Sequence, residues 1–319
     1  MSQFEHGDPQ GAVDAWQTVD PDPIAHALCY QMESAIEQGV QERGAALAQQ
    51  LIMLAPDSFH AQYCAGRGFT LVDQPVAAIT AFDEAIRIGT SDQANLRDVY
   101  YRKGNTHSQL SEWTAAAAAL REAAVRAPDA TFIAWRLGLA LIRAGEYDEA
   151  ERALLNAVAR NPDSSILHFY LGMLEQERGD FDQASVWYSK AYDLDPTSVG
   201  TLSELGSIAL QHQSDPRTAL TYFEQALTLT PADRGIWIWL GRTHEQLGDW
   251  DAMEAAYRQA VTLSQSSSQQ IATLTGLADA LLSNGLAARS LAVWQEIAAI
   301  APDHERAQEM IAQIEATVK

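Results

Sequence analysis

Residues 131–164 read TFIAWRLGLALIRAGEYDEAERALLNAVARNPDS, and this stretch decides the architecture. It predicts two helices of about equal length, folded back on each other through Gly145-Glu146 and ended by Asn161-Pro162. Leu137, Gly138 and Leu141 share one side of the first helix. Ala150, Leu154 and Ala157 share one side of the second, at the i, i+4, i+7 spacing of an apolar stripe. The small residues in both stripes let the backbones approach, and the large ones fill the space between them. Gly145 suits the left-handed position that closes a helix. Glu146 or Asp148 can cap the next helix or favour its positive end, and Pro162 cannot continue it.

Working outward, the landmarks return 34 residues later as Leu171-Gly172, Ala184, Tyr188, Ala191 and Pro196. A fixed period of this length marks a stacked helical array, in which each unit buries its apolar face only against its neighbours. The recurring Leu-Gly, Ala, bulky residue, Ala and closing Pro resemble the tetratricopeptide repeat. The resemblance implies an all-α fold, a right-handed superhelical solenoid of antiparallel helix pairs whose first helices line a concave groove. It covers residues 25–304 as eight units: 25–58, 59–96, 97–130, 131–164, 165–198, 199–233, 234–270 and 271–304. The first is degenerate, recognisable by Leu51 and Pro56. Residues 1–24 read as an N-terminal half repeat, with Gly7-Asp8, Ala12, Trp16 and Val19 at second-helix landmarks and Pro21 and Pro23 after them. Residues 305–319 read as a C-terminal capping helix. The extra residues 91–96 (SDQANL) read as a lengthened connection, and the polar tract 264–270 (SQSSSQQ) as a mobile one.

The formal charge of −21 argues against nucleic acid and anionic membrane as partners, because both demand basic surface. All but three of the 21 basic side chains are Arg, which a GC-rich genome would explain as well as a preference for bidentate anion contacts; the first reading is favoured for the whole-chain count. The N-terminus lacks a basic start and an apolar core, so no secretory signal is expected. No apolar run approaches the roughly 20 residues of a membrane span.

No catalytic constellation, phosphate-binding Gly-rich loop or cofactor motif is present, which points away from an enzyme. His244-Glu245 has no second His at the spacing of a zinc protease motif. His26 and His60 occupy the second position of adjacent units and share a face, but helix spacing argues against one ion bound by both. Cys29 and Cys64 lie on adjacent first helices. With axes roughly 8–10 Å apart, the expectation is two reduced thiols in a cytoplasmic protein.

On each first helix, the repeat positions 2, 5, 6, 9, 12 and 13 form a second stripe, which the resemblance places on the groove. Here the stripe carries Tyr63 and Arg67, then Tyr101, Arg102 and Asn105, then Trp135, Arg136 and Arg143. Phe169, Tyr170 and Met173 follow, and Trp239 and Arg242 come further on. Arg beside aromatic rings is the combination enriched at binding hot spots, and it is conspicuous in so acidic a chain. Glu33, Glu37, Glu177, Glu204 and Glu245 occupy the groove's first unit and later part. The same aromatics could instead pack between neighbouring helices, and the Arg residues could pair with adjacent carboxylates. The subtype of the family that clamps the C-terminal carboxylates of chaperones needs a Lys/Asn/Arg set of which only Asn105 is present, so that function does not carry over.

These features predict a non-enzymatic scaffold without cofactor or metal, holding an extended protein segment that is acidic where it meets the Arg cluster. The alternative is an assembly component that stacks through residues 1–24 into a homo- or hetero-oligomer.

Overall fold

The structure, a computed structural model, describes residues 21–318. The expected half repeat therefore lies, but for its last four residues, outside the described residues. Seventeen helices and no strand occur among the described residues. Two compact units divide at Arg178/Gly179.

The first unit holds α1 (Pro21–Glu37), α2 (Gln41–Leu54), α3 (Phe59–Leu71), α4 (Pro75–Ile88), α5 (Gln93–Gln109), α6 (Trp113–Arg126), α7 (Thr131–Ala144), α8 (Tyr147–Arg160) and α9 (Ser165–Arg178). Successive helices pack in sequence order, and α1, α3, α5, α7 and α9 also touch one another in turn. The second unit holds α10 (Phe181–Leu194), α11 (Val199–Gln211), α12 (Pro216–Leu229), α13 (Arg234–Leu247), α14 (Trp250–Thr262), α15 (Ser267–Ser283), α16 (Ala287–Ile300) and α17 (Glu305–Val318).

The deciding stretch folds as expected. Gly145 adopts φ 77° and ψ 12°, the left-handed cap of α7. Its amide donates to Ile142 O at 3.0 Å, and the Glu146 amide donates to Leu141 O at 2.9 Å, satisfying two carbonyls that a helix end leaves orphaned. Glu146 takes the N-cap position of α8 without a side-chain cap bond, and Asp148 and Glu149 stand in its first turn. Between the helices, a Cβ on Gly138 would lie 2.6 Å from Leu154 Cδ2. The same close meeting recurs at Gly66 with Phe82, Gly104 with Leu120, Gly206 with Phe223 and Gly241 with Tyr257. A missing side chain on one helix makes the room that a large one on the next helix fills. Ser or Asp caps the N-termini of α3, α5, α10, α11, α12, α13, α14 and α15 by accepting backbone N–H bonds.

Several expectations are corrected. Pro21 and Pro23, expected in the connection before the first full unit, stand in the first turn of α1, since proline is tolerated in a first turn where its missing N–H would have no partner. The extra residues 91–96 lengthen a helix, not a loop: Asp92 caps the 17-residue α5. The tract 264–270 is a connection only as far as Ser266, whose hydroxyl accepts from the Gln269 amide, and from Ser267 it is the first turn of the 17-residue α15.

The largest correction concerns the cysteines. Cys29 and Cys64 form a disulfide that ties α1 to α3, with Cα atoms 5.8 Å apart. The expectation failed because it measured between axes. Each Cα stands about 2.3 Å off its axis, so facing Cα atoms come that much closer from both sides. The thiol argument for a cytoplasmic location falls with this bond. No helix among the described residues is long and apolar enough to cross a membrane.

The last described helix, α17, packs on α16. Ala307 and Ile314 of α17 are buried with Trp294 and Ile297 of α16.

Candidate functional site

The residues of the stripe meet one another in a ladder of contacts between successive first helices. Glu33 of α1 pairs with Arg67 of α3 at 2.8 Å. Tyr63 of α3 donates its hydroxyl to Asp98 Oδ2 of α5 at 2.8 Å, and Arg102 Nε donates to the Tyr63 oxygen at 3.1 Å. The guanidinium groups of Arg67 and Arg102 lie 5.7 and 5.8 Å from the Tyr63 ring centroid. On the next rung, Arg136 Nε of α7 donates to Tyr101 Oη of α5 at 2.7 Å. Arg143 of α7 meets Glu177 of α9 at 3.2 Å. Trp135 and Tyr170 stack at 5.2 Å between α7 and α9, and Phe169 meets the Tyr170 ring edge-on. Met173 sits half-buried one turn along α9.

The helix period explains why these residues meet. Tyr63 and Arg67, Asp98 and Arg102, and Tyr101 and Asn105 are each four apart, so each pair stands on one face of its helix. Sequence reasoning missed Asp98, which holds both Tyr63 and Arg102. Its spacing of four from Arg102 was the available signal.

The arrangement separates the arginines. Arg67 and Arg143 are neutralised by neighbouring carboxylates. Arg102 has only a loose partner, Asp98 at 3.8 Å, and Asp98 also accepts from Arg97 at 3.0 Å. Arg136 has no carboxylate within ion-pair distance among the described residues. Its guanidinium instead lies 4.2 Å from the Trp135 ring centroid and 5.6 Å from that of Tyr101. Held so, it stays charged and oriented, and it retains donors for a guest. Arg102 and Arg136 line a concavity of about 450 Å³ together with Thr70, Tyr101, Asn105, Ser108 and Gln109. Both charge and amide chemistry therefore face the same space.

Burial pushes the Tyr63 phenol up from its ordinary pKa, and Asp98 adds to the rise while Arg102 opposes it. Burial likewise raises Tyr170, against the pull of Arg136 and Arg143. Both rings remain neutral donors through the physiological range.

Trp239 and Arg242 belong to α13 in the second unit, where the Arg242 guanidinium lies 5.0 Å from the Trp239 centroid. Of the predicted acidic side chains further on, Glu245 accepts from Asn284 Nδ2 at 2.9 Å.

The two histidines of the first units stand closer than the helix spacing suggested. The His26 and His60 rings stack with centroids 3.7 Å apart, and the ligand atoms of His60, Cys29 and Cys64 all lie within 4.8 Å of one another.

Compared by sequence with curated proteins, the chain has no match. Among solved structures, a tetratricopeptide repeat protein from Parabacteroides merdae is similar with a TM-score of 0.60 at 12% identity, over 79% of this chain and 98% of that one. PilF of Pseudomonas aeruginosa is similar with a TM-score of 0.55 at 17% identity, over 69% and 99%. The Cut9–Hcn1 hetero-tetramer of the APC/C gives 0.52 at 17% identity, over 85% of this chain but 59% of that chain's length. At such identities the likeness speaks for the fold. The sequence model described as tetratricopeptide repeat matches residues 101–155, 136–199 and 205–268, together half of the chain. These matches include the glycine and bulky-residue contacts of Gly104, Gly138, Gly206 and Gly241, and the chain belongs to the tetratricopeptide repeat family.

Proposed function

We propose that this protein is a non-enzymatic scaffold that holds an extended, acidic segment of a partner protein against α3, α5 and α7. Repeats of this family serve in general as protein-interaction scaffolds. The observation that carries the finer reading is the state of Arg136: charged, fixed over Trp135 and Tyr101, and without a carboxylate of its own among the described residues. In a chain of net charge −21, a guanidinium left without a carboxylate on a concave wall is the place where a partner's acid gains most. Arg102 adds a second cation, and Asn105 offers an amide to the partner's backbone. Tyr101, Trp135 and Tyr170 supply apolar surface at small entropic cost. Trp239 and Arg242 repeat the pairing in the second unit and offer a separate contact. The division of residues 25–304 into eight repeats, with α17 as the cap, is part of the same reading.

The test is capture from native extract by wild type and by the Arg102→Ala, Arg136→Ala variant. Removing Arg136 strips no carboxylate of its partner, and Asp98 keeps Arg97, so the variant should remain folded. The expected outcome is a protein held by wild type and lost from the variant, with each arginine worth about tenfold or more in affinity. Equal capture by both would remove the site from these helices.

A further inference from the structure

The cluster at the start of the first unit is not absorbed by the peptide-binding reading and does not depend on it. His26 and Cys29 lie three apart on α1, and His60 and Cys64 lie four apart on α3. Each helix therefore turns a His/Cys pair to one face, and the two faces meet. Among the described residues this is the one place where three or more His, Cys or carboxylate ligands converge.

We propose that, with the Cys29–Cys64 bond reduced, Cys29, Cys64 and His60 bind a thiophilic divalent metal ion of the zinc class. The same residues then exchange a covalent staple between α1 and α3 for a metal-held one. The His60 Nε2 and Cys64 Sγ atoms are 3.5 Å apart. Two ligands on a tetrahedral zinc ion, with bonds of about 2.1 and 2.3 Å, stand about 3.6 Å from each other. The three ligand atoms already fall within 4.8 Å of one another, so side-chain rotation alone brings them to one centre. Cys64 and Cys29 are buried, at 1% and 7% exposure, which keeps bulk water from two of the three bonds.

His26 is assigned a positioning role. Its ring is parallel to that of His60 within 13° at a centroid distance of 3.7 Å. A metal ion lies in the plane of the imidazole that binds it, so one ion cannot serve both rings as they are stacked. The stack fixes the His60 plane, and the fourth position falls to solvent. Glu33, with a carboxylate oxygen 4.0 Å from Cys29 Sγ, is held by Arg67 at 2.8 Å, which limits its repulsion of a thiolate.

The exchange balances with a low-molecular-weight thiol as reductant. Two thiols and the protein disulfide give two protein thiolates, one low-molecular-weight disulfide and two protons, and the thiolates take the ion. Oxidation by a low-molecular-weight disulfide runs the reverse and releases the metal.

The experiment uses the full chain and Co²⁺ as a spectroscopic probe, with a phosphine reductant in one arm and none in the other. The expected result is one Co²⁺ per reduced chain, with the visible spectrum of tetrahedral cobalt and a thiolate charge-transfer band, displaced by Zn²⁺. The oxidised chain should bind none. Cys64→Ser should lose the charge-transfer intensity of one thiolate. His60→Ala, which leaves both cysteines in place, should weaken binding by more than tenfold. His26→Ala should keep the stoichiometry. A reduced wild type that is helical by circular dichroism but shows no tetrahedral cobalt spectrum would overturn the proposal. So would equal binding by His60→Ala, or loss of binding in His26→Ala.

Discussion

At the scale of single residues, the fold rests on the meeting of a missing side chain and a large one. Gly138 and Leu154 show it most simply. A Cβ at Gly138 would press to 2.6 Å from Leu154 Cδ2, and Leu154 is fully buried. Gly138→Leu should therefore cost roughly 1–3 kcal/mol by overpacking, read as a lower denaturation midpoint at unchanged m-value. A midpoint equal to wild type would mean that α7 and α8 do not meet there. This pair was legible from sequence because both partners sit in one repeat, at a spacing the period announces. Cys29 and Cys64 were not. Their distance depends on how closely two first helices approach, and the estimate between axes ignored the radius at which Cα atoms stand. Asp98 was legible only in part: its spacing of four from Arg102 shows in the sequence, but its partner Tyr63 is on another helix.

At the scale of elements, the ends of the helices were less legible than their faces. The polar residues 91–96 and 264–270 look like loops by composition, yet their Asp and Ser are N-caps, and the residues after them lengthen α5 and α15. A polar helix start and a polar loop share a composition, and only the cap bond separates them. The closing pair α16–α17 makes a further prediction. Trp294 is fully buried, and its indole N–H has no hydrogen-bond partner among the described residues. A lost hydrogen bond is thus no part of the cost of replacing it. Trp294→Ala should cost about 3–5 kcal/mol through the cavity it leaves. Trp294→Phe should cost much less, since it keeps most of the ring and removes a polar group buried without a partner. Chemical denaturation of both variants decides it: equal losses would show that the indole N–H matters to stability after all.

At the scale of the whole molecule, charge dominates. At pH 7 the chain carries a formal charge of −21, and its self-repulsion weakens the folded state. That repulsion fades as the pH falls toward the pI near 4.6. The opposite trend sets in lower. Asp215 is held below the ordinary carboxylate range, first by the Thr218 hydroxyl and then by the Thr218 amide. Glu149 is held below it by the Arg121 guanidinium. Groups with depressed folded-state values contribute stability that is complete above their unfolded pKa and is lost as pH falls through the folded one. The melting temperature should therefore rise from pH 7 to about pH 5 and fall again below the ordinary carboxylate range. Added salt should raise it at pH 7. A melting temperature that falls steadily from pH 7 downward would show that the ion pairs outweigh the net repulsion.

In the proposed function, Arg102 and Arg136, left short of carboxylates in an acidic molecule, select an acidic partner segment. The most direct measurement is an equilibrium titration of a fluorescently labelled peptide from the captured partner, against wild type and Arg136→Glu, at low and high salt. Wild-type affinity should fall as salt rises, Arg136→Glu should bind at least about a hundredfold more weakly, and replacing the peptide's acidic residues by their amides should remove the salt dependence. Binding to Arg136→Glu as tight as to wild type, or affinity indifferent to both salt and the peptide's charge, would contradict the proposed function.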